Sequence, residues 1–293
     1  MKEKDYRLDT LFAQVLTYRN SEQFRSFMRH IAGLTKLSPY NAMLVGMQRP
    51  GAKRVATADQ WHAKKAEFKE GANPLIILKP FGPVEFVFEE GDIVENTLPP
   101  EIRDSPFHVR SGTVPLDGSM RLMKNLRRCG INVNMVAKGR SLAGYTTVNR
   151  SGMTMNCTCG NYFYTIEWLH DIVINTQLSE VEQFATLLHE VAHIYCGHLG
   201  NWGNEKLPWE DRRGLSQNTE EFEAECVAWI VCQRHEIDNP SEEYLAGYLD
   251  NNETIPEGIS VERVLCAAGR IESQMEDLLP PLAAVVKSKV KFE

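Results

Sequence analysis

Apolar residues recur every three or four positions through the first ~35 residues, in DTLFAQVLTYRNSEQFRSFMRHIAGL, the period of an amphipathic helix. Ser38-Pro39 ends that pattern, and a second short helix over Asn41 to Gln48 stops at Arg49-Pro50-Gly51. Asp59 to Lys69 predicts a third helix, capped near Thr57 or Asp59. Pro74 to Phe88 (PLIILKPFGPVEFVF) then turns strand-like, rich in Ile, Val and Phe and punctuated by Pro and Gly.

From Glu89 to Gly118 the periodicity lapses among four prolines and several acids, which predicts a connection between domains. Beyond it, Met120 to Cys129 reads as a basic helix ended by Gly130, followed by strands near 131–136, 143–148, 161–167 and 171–175. Ser179-x-x-Glu182 is a capping box, and Val181, Phe184, Leu188, Val191 and Tyr195 continue at helical spacing toward Gly200. Another helix begins near Asn218 and runs through EEFEAECVAWIVCQRHE, with two more over Glu242 to Leu249 and Val261 to Asp277. These elements predict an α+β protein: a small α/β N-terminal domain over 1–90, a connection over 91–118, and a second domain over 119–293.

A length of 293 residues with 43% hydrophobic content suffices for a real core. No apolar run is long enough to span a membrane, and the start MKEKDYRLDT is charged where a signal peptide needs its apolar stretch, so a cytoplasmic protein without a membrane partner is expected. Seven scattered cysteines predict reduced thiols, not a disulfide framework. The net charge of −7 conceals opposed blocks. Residues 41–80 hold seven Lys or Arg against three acids, 121–150 hold seven bases and no acid, and 205–258 hold fourteen acids against four bases.

The chemistry sits in LLHEVAHIYC, where two imidazoles and a carboxylate interrupt the helix that is otherwise most core-like. Residues four apart share a helix face, so His189 and His193 can direct both rings at one ion, and Glu190 beside them can reach a metal-bound water without ligating the metal. That pattern is the H-E-x-x-H arrangement of metallopeptidases, with zinc as its ion. A third protein ligand is needed, and Glu220, Glu221, Glu223 and Glu225 all offer one. Glu221 and Glu225 lie at i and i+4, so one can ligate while the other receives an N–H from a ligand histidine.

HEVAH followed 28 positions later by Glu221-Phe-Glu-Ala-Glu225 resembles the zincin-like peptidases of the ImmA/IrrE type and the peptidase half of ArdC-type antirestriction proteins. The resemblance implies Glu221 as third ligand and Glu225 as the acid that orients a ligand histidine. Ala143-Gly-Tyr145, Asp171-Ile-Val-Ile-Asn175, Ser241-x-x-Tyr244-Leu245 and Ala267-Ala268-x-x-Ile271 resemble the segments flanking that site. Asn41-Ala-Met-Leu44, Gln48-Arg-Pro50, Gln60-Trp61 and Ile76-Ile77-Leu78 resemble the ArdC N-terminal domain, which implies single-stranded DNA binding. Lys69-Glu-Gly-Ala-Asn-Pro74 is less basic than the lysine- and glycine-rich turn usual there.

Together these readings predict a zincin-like, zinc-dependent endopeptidase that cuts a protein partner such as a transcriptional repressor and is regulated by single-stranded DNA. The alternative is a DNA-binding antirestriction or protective protein whose zinc is structural. Cations and aromatic faces for a nucleic acid come from Arg49, Lys53, Arg54, Trp61, Lys64 and Lys65, with Tyr40 and Phe68 nearby, although the seven-residue spacing of Trp61 and Phe68 equally marks a buried helix face. Arg121, Lys124, Arg127 and Arg128 form a cationic helix face, suited either to solubility or to an acidic contact. Tyr248 or Tyr244 is expected to stabilise an oxyanion. Cys157 or Cys159 would supply a latency thiolate in the metal's open position, and His198 is a further candidate for a closing fourth ligand.

Overall fold

The structure, a computed structural model, describes residues 21–49, 52, 54–79, 84–94, 97, 112–137, 143–237 and 255–292. The expected helix over 242–249 with Tyr244 and Tyr248, the expected contact Lys53, and the helical pattern before Ser21 lie outside the described residues. The chain divides into two compact units: among the described residues, Glu22 to Thr97 belong to the smaller one, and Ser21 and those from Gly112 onward to the larger.

In the smaller unit, helix α1 (Ser21–Gly33) precedes α2 (Pro39–Gln48). The Ser38 hydroxyl caps α2 by accepting from the Asn41 amide at 3.3 Å, and Pro39 needs no donor in the first turn. Strands β1 (Val55–Ala56), β2 (Leu75–Leu78) and β3 (Val84–Glu89) form an antiparallel sheet in the order β1-β3-β2. The outer edge of β2 is closed by two side-chain amides from α2. Asn41 bonds both the carbonyl and the amide of Leu78 (3.0 and 2.9 Å), and Gln48 does the same to Ile76 (2.7 and 2.8 Å). Unpaired strand groups are thereby satisfied without a fourth strand.

Helix α3 (Ala58–Ala63) carries the Thr57/Gln60 capping box but is shorter than the expected helix over Asp59 to Lys69. It ends because Lys65 adopts φ +61°, which turns the chain so that Ala66 and Phe68 fold back over Trp61 with Ile93 and Phe88. Burying that cluster outweighs two more turns of helix.

The larger unit begins with α4 (Leu116–Arg128), stopped by Gly130 at φ +80°, where a Cβ would stand 2.5 Å from the Glu167 carbonyl. Strands β4 (Ile131–Val136) and β5 (Gly144–Val148) flank β8 (His170–Asn175), parallel and antiparallel to it respectively. A second sheet orders β6 (Thr154–Cys159), β7 (Tyr162–Glu167) and β9 (Val286–Lys291) as β6-β7-β9, of which β6 and β9 were not foreseen. Helices α5 (Glu180–Tyr195), α6 (Gln217–Arg234) and α7 (Val261–Glu276) pack on one another, and α5 also lies against β5 and β8. The class is mixed α+β. Among the described residues no helix is long and apolar enough to cross a membrane.

Of the four cations expected on the face of α4, the three arginines reach backbone carbonyls, while Lys124 is exposed. Arg121 donates to the Met275 carbonyl at the end of α7, and Arg128 to the carbonyls of Leu279 and Thr158. Arg127 donates to the Asn156 carbonyl, so these arginines satisfy a helix end and the outer edge of β6.

Candidate metal centre

The Ser179 hydroxyl accepts from the Glu182 amide at 3.3 Å and the Glu182 carboxylate receives the Ser179 N–H at 2.8 Å, fixing where α5 starts. From that start the helix carries His189 and His193 on one face, at its contact with α6. The Nε2 atoms of the two rings are 3.2 Å apart. Glu221, in the first turns of α6, places Oε2 at 3.2 Å from His189 Nε2 and 3.7 Å from His193 Nε2.

These three distances test whether the set fits an ion. Ligand atoms at about 2.0–2.1 Å around a tetrahedral centre are separated by about 3.3–3.4 Å. The triangle of 3.2, 3.2 and 3.7 Å therefore fits one small divalent cation. Its donors, two imidazole nitrogens and a carboxylate oxygen, suit a first-row metal such as zinc.

The remaining ring nitrogens are also engaged. His189 Nδ1 is 3.0 Å from Glu225 Oε2, so the carboxylate accepts its proton and leaves Nε2 to face the cluster. Burial opposes charge on His189, but the hydrogen bonds to Glu221 and Glu225 outweigh it and push its pKa up to about 10. The His189 and His193 hydrogen bonds in turn hold the Glu221 carboxyl far below its ordinary range.

Glu190 is buried, and the Thr146 hydroxyl donates to its Oε2 at 2.7 Å. Thr146 comes from β5, which approaches α5 closely because Gly144 has no side chain: a Cβ there would stand 2.6 Å from Thr186. Thr146 was not foreseen. Its sequence signal, a polar residue in a β-strand, is shared by the neighbouring Thr147.

Behind His193, its Nδ1 meets His198 Nδ1 at 3.0 Å, and His198 Nε2 meets Glu223 Oε2 at 2.9 Å. Both nitrogens of His198 are engaged there, which corrects its expected role as a fourth ligand. Cys196, His198 and Glu223 form a second cluster of ligand-type groups. The Glu223 oxygens are already saturated by Arg212 Nη1 and Nη2 (2.6 and 2.8 Å), the Ser260 amide (2.6 Å) and His198. That cluster is an ion-pair knot, not a second ion site. Burial and the hydrogen bond to Glu223 act oppositely on His198, and burial prevails in lowering its pKa.

Of the four acids weighed as third ligand, Glu221 joins the histidines, Glu225 orients His189, Glu223 serves the buried knot, and Glu220 stands in none of these. Cys157 and Cys159 lie half-buried on β6, opposite Tyr164 and Tyr162 of β7, and neither belongs to the group formed with His189 and His193. Burial raises the Cys157 thiol, with Arg128 and Arg127 opposing, so it favours the protonated form and not a thiolate.

In the smaller unit Trp61 is 2% exposed and its indole N–H donates to the Phe88 carbonyl at 3.0 Å, so its faces are closed to a stacking base. Phe68 packs on Phe88. Arg49 pairs with Asp92 at 2.6 Å and Arg54 with Glu90 at 3.2 Å, which spends two of the expected phosphate contacts within the unit. Lys64 and Lys65 are exposed.

No family model matches the chain, and no curated protein matches it. Two solved structures of the antirestriction protein ArdC from plasmid R388 are similar to it. The metal-free form has 14% identity and a TM-score of 0.34, with 81% of each chain covered. The Mn(II)-bound form has 16% identity and a TM-score of 0.33, covering 86% of this chain and 94% of that one. Likenesses of this size assign neither fold nor activity, and they do not speak to the ImmA/IrrE resemblance.

Proposed function

We propose that the larger unit is a zinc-dependent, zincin-like peptidase in which His189, His193 and Glu221 hold the ion and Glu190 is the general base. The observation that carries this reading is Glu190 itself. It is buried on α5 between the two histidines in sequence, is held by the Thr146 hydroxyl at 2.7 Å, and enters no ion pair among the described residues. A buried carboxylate beside the two ligand-type imidazoles, with one oxygen bound by a hydroxyl and the other left over, has the placement that a general base next to a metal-bound water needs.

Bound zinc would polarise a substrate carbonyl and make water acidic enough to attack near neutral pH. The chain's own groups do the rest. Glu190 accepts the proton of the attacking water and delivers it to the departing amine, while Thr146 fixes which carboxylate oxygen is free. Glu225 holds His189 in the tautomer whose Nε2 faces Glu221. The substrate is a protein, and the transcriptional repressor inferred from resemblance is one instance of it.

A second reading keeps the metal but not the hydrolysis, and makes the chain an antirestriction or protective protein that binds DNA. Antirestriction is the activity for which the ArdC protein is named, and a likeness that weak lends it no weight here. The single-stranded DNA contact of this reading loses Trp61, Arg49 and Arg54, which are engaged within the smaller unit, and keeps the exposed Lys64 and Lys65.

The test is incubation of the zinc-loaded chain with a peptide library and with proteins from its own host, followed by mass spectrometry of new N-termini. New termini with the native chain and none with Glu190→Gln, both retaining zinc, support the peptidase. Zinc retention without any cleavage favours the second reading.

A further inference from the structure

The chain of groups behind His193 is longer than a metal-ligating histidine requires, and it fixes where each proton sits. We propose that His198 is a positioning residue of the metal centre, which holds His193 with its proton on Nδ1 through a His198–Glu223–Arg212 chain. The proposal rests on the metal-centre reading and says how that same site is tuned.

The argument runs from the buried end outward. Glu223 is fully buried and receives Arg212 through two parallel N–H bonds, together with the Ser260 amide. So many donors define an ionised acceptor. His198 Nε2, 2.9 Å from that carboxylate, must therefore present N–H to it. A neutral His198 protonated on Nε2 has a bare Nδ1, and that atom faces His193 Nδ1 at 3.0 Å. Only one proton fits between the two rings, so it belongs to His193. His193 Nε2 is then left with its lone pair toward His189 Nε2 and Glu221 Oε2. The reverse arrangement would make His198 doubly protonated in a site that exposes 4% of its surface.

The backbone is built to deliver this ring. Gly197 takes φ +84° just past the end of α5, where a Cβ would stand 2.3 Å from the Glu210 carbonyl. The turn brings the His198 amide to the His193 carbonyl at 3.0 Å, and so sets one ring beneath the other. Arg212 also donates to the Cys196 carbonyl at 3.0 Å, tying the chain to the end of the helix that carries both histidines.

The experiment measures zinc affinity by competition with a chromogenic chelator for the native chain, His198→Leu and His198→Gln, and records the imidazole nitrogen NMR spectrum of the zinc-loaded native chain. Loss of a partner of this kind costs about 10–100-fold in metal affinity, which is the loss expected for His198→Leu. Glutamine can accept from His193 and donate to Glu223, so His198→Gln should stay near native. The spectrum should show His193 protonated on Nδ1 and His198 on Nε2. A folded His198→Leu variant with native affinity, or a spectrum with His198 protonated on Nδ1, overturns the proposal. Should the leucine variant fail to fold, the native spectrum decides alone. A native chain that binds no zinc overturns the metal-centre reading and this proposal with it, and that outcome appears in the native arm.

Discussion

Thr146 and Glu190, 44 residues apart in the chain, are joined by a hydroxyl-to-carboxylate hydrogen bond of 2.7 Å, and the same hydroxyl lies 3.2 Å from the Glu190 carbonyl. A strand and a helix thus fix one rotamer of the proposed base. Thr146→Val keeps the shape and removes the donor. It should lower kcat by about tenfold or more, inside the range of about 10²–10⁴ that a general base supplies. Thr146→Ser should recover most of the loss, and zinc content should be native in both. Unchanged kcat in the valine variant would remove Thr146 from the mechanism.

The Arg212–Glu223 pair should matter far more to stability than the pair of Arg263 with Glu210. Glu223 is wholly buried, so Arg212→Met leaves a carboxylate with one partner fewer where water cannot reach it, at a cost of about 3–5 kcal/mol. Glu210 is exposed, and Glu210→Gln should cost less than about 1 kcal/mol. Urea unfolding of the two variants checks the ordering, and equal losses would contradict it.

His170 supplies a pH dependence. Burial depresses its pKa to about 4, and neither ring nitrogen has a hydrogen-bond partner among the described residues. The unfolded chain therefore binds this proton near pH 6.5 and the folded chain only near pH 4. The stabilisation is complete above pH 6.5 and is lost as pH falls from there toward 4, at about 1.4 kcal/mol per unit. His170→Leu should lose less stability than the native chain across that window. Parallel loss in the two proteins would show that other groups set the acid limb.

Trp61→Ala should act on the core and not on a nucleic-acid surface. It removes an indole 2% exposed and packed with Ala66, Ile93, Phe68 and Phe88, for an expected loss of about 3–5 kcal/mol. Lys64→Ala and Lys65→Ala should leave stability within about 0.5 kcal/mol. Thermal unfolding of the smaller unit's transition distinguishes them, and a stable Trp61→Ala chain would return the indole to the surface.

What the sequence made legible was what local rules govern. The Ser179/Glu182 box marks the start of α5, and four-residue spacing alone sets His189 and His193 on one face. Strands β6 and β9 escaped because TMNCTC and VKSKVK lack an apolar alternation strong enough to separate them from loop or tail, since both strands expose much of their sheet faces. The Asp59 to Lys69 pattern overran its helix because the pull on Phe68 and Ala66 comes from Ile93, far along the chain. Long-range partners were the hardest to see. Arg121 finds its acceptor 154 residues away and Glu223 draws on donors 11, 25 and 37 residues distant, so neither the fate of the basic helix nor the knot behind His193 has a local signature.

The central claim is that His189, His193 and Glu221 hold one ion with the carboxylate of Glu190 left free to act. Elemental analysis of the purified, zinc-loaded chain after gel filtration tests it most directly, read across four proteins. The account predicts one zinc per native chain, one in Glu190→Gln, and little in His193→Ala or Glu221→Ala. Full zinc in either ligand variant, or its loss in Glu190→Gln alone, would contradict the assignment of roles around this cluster.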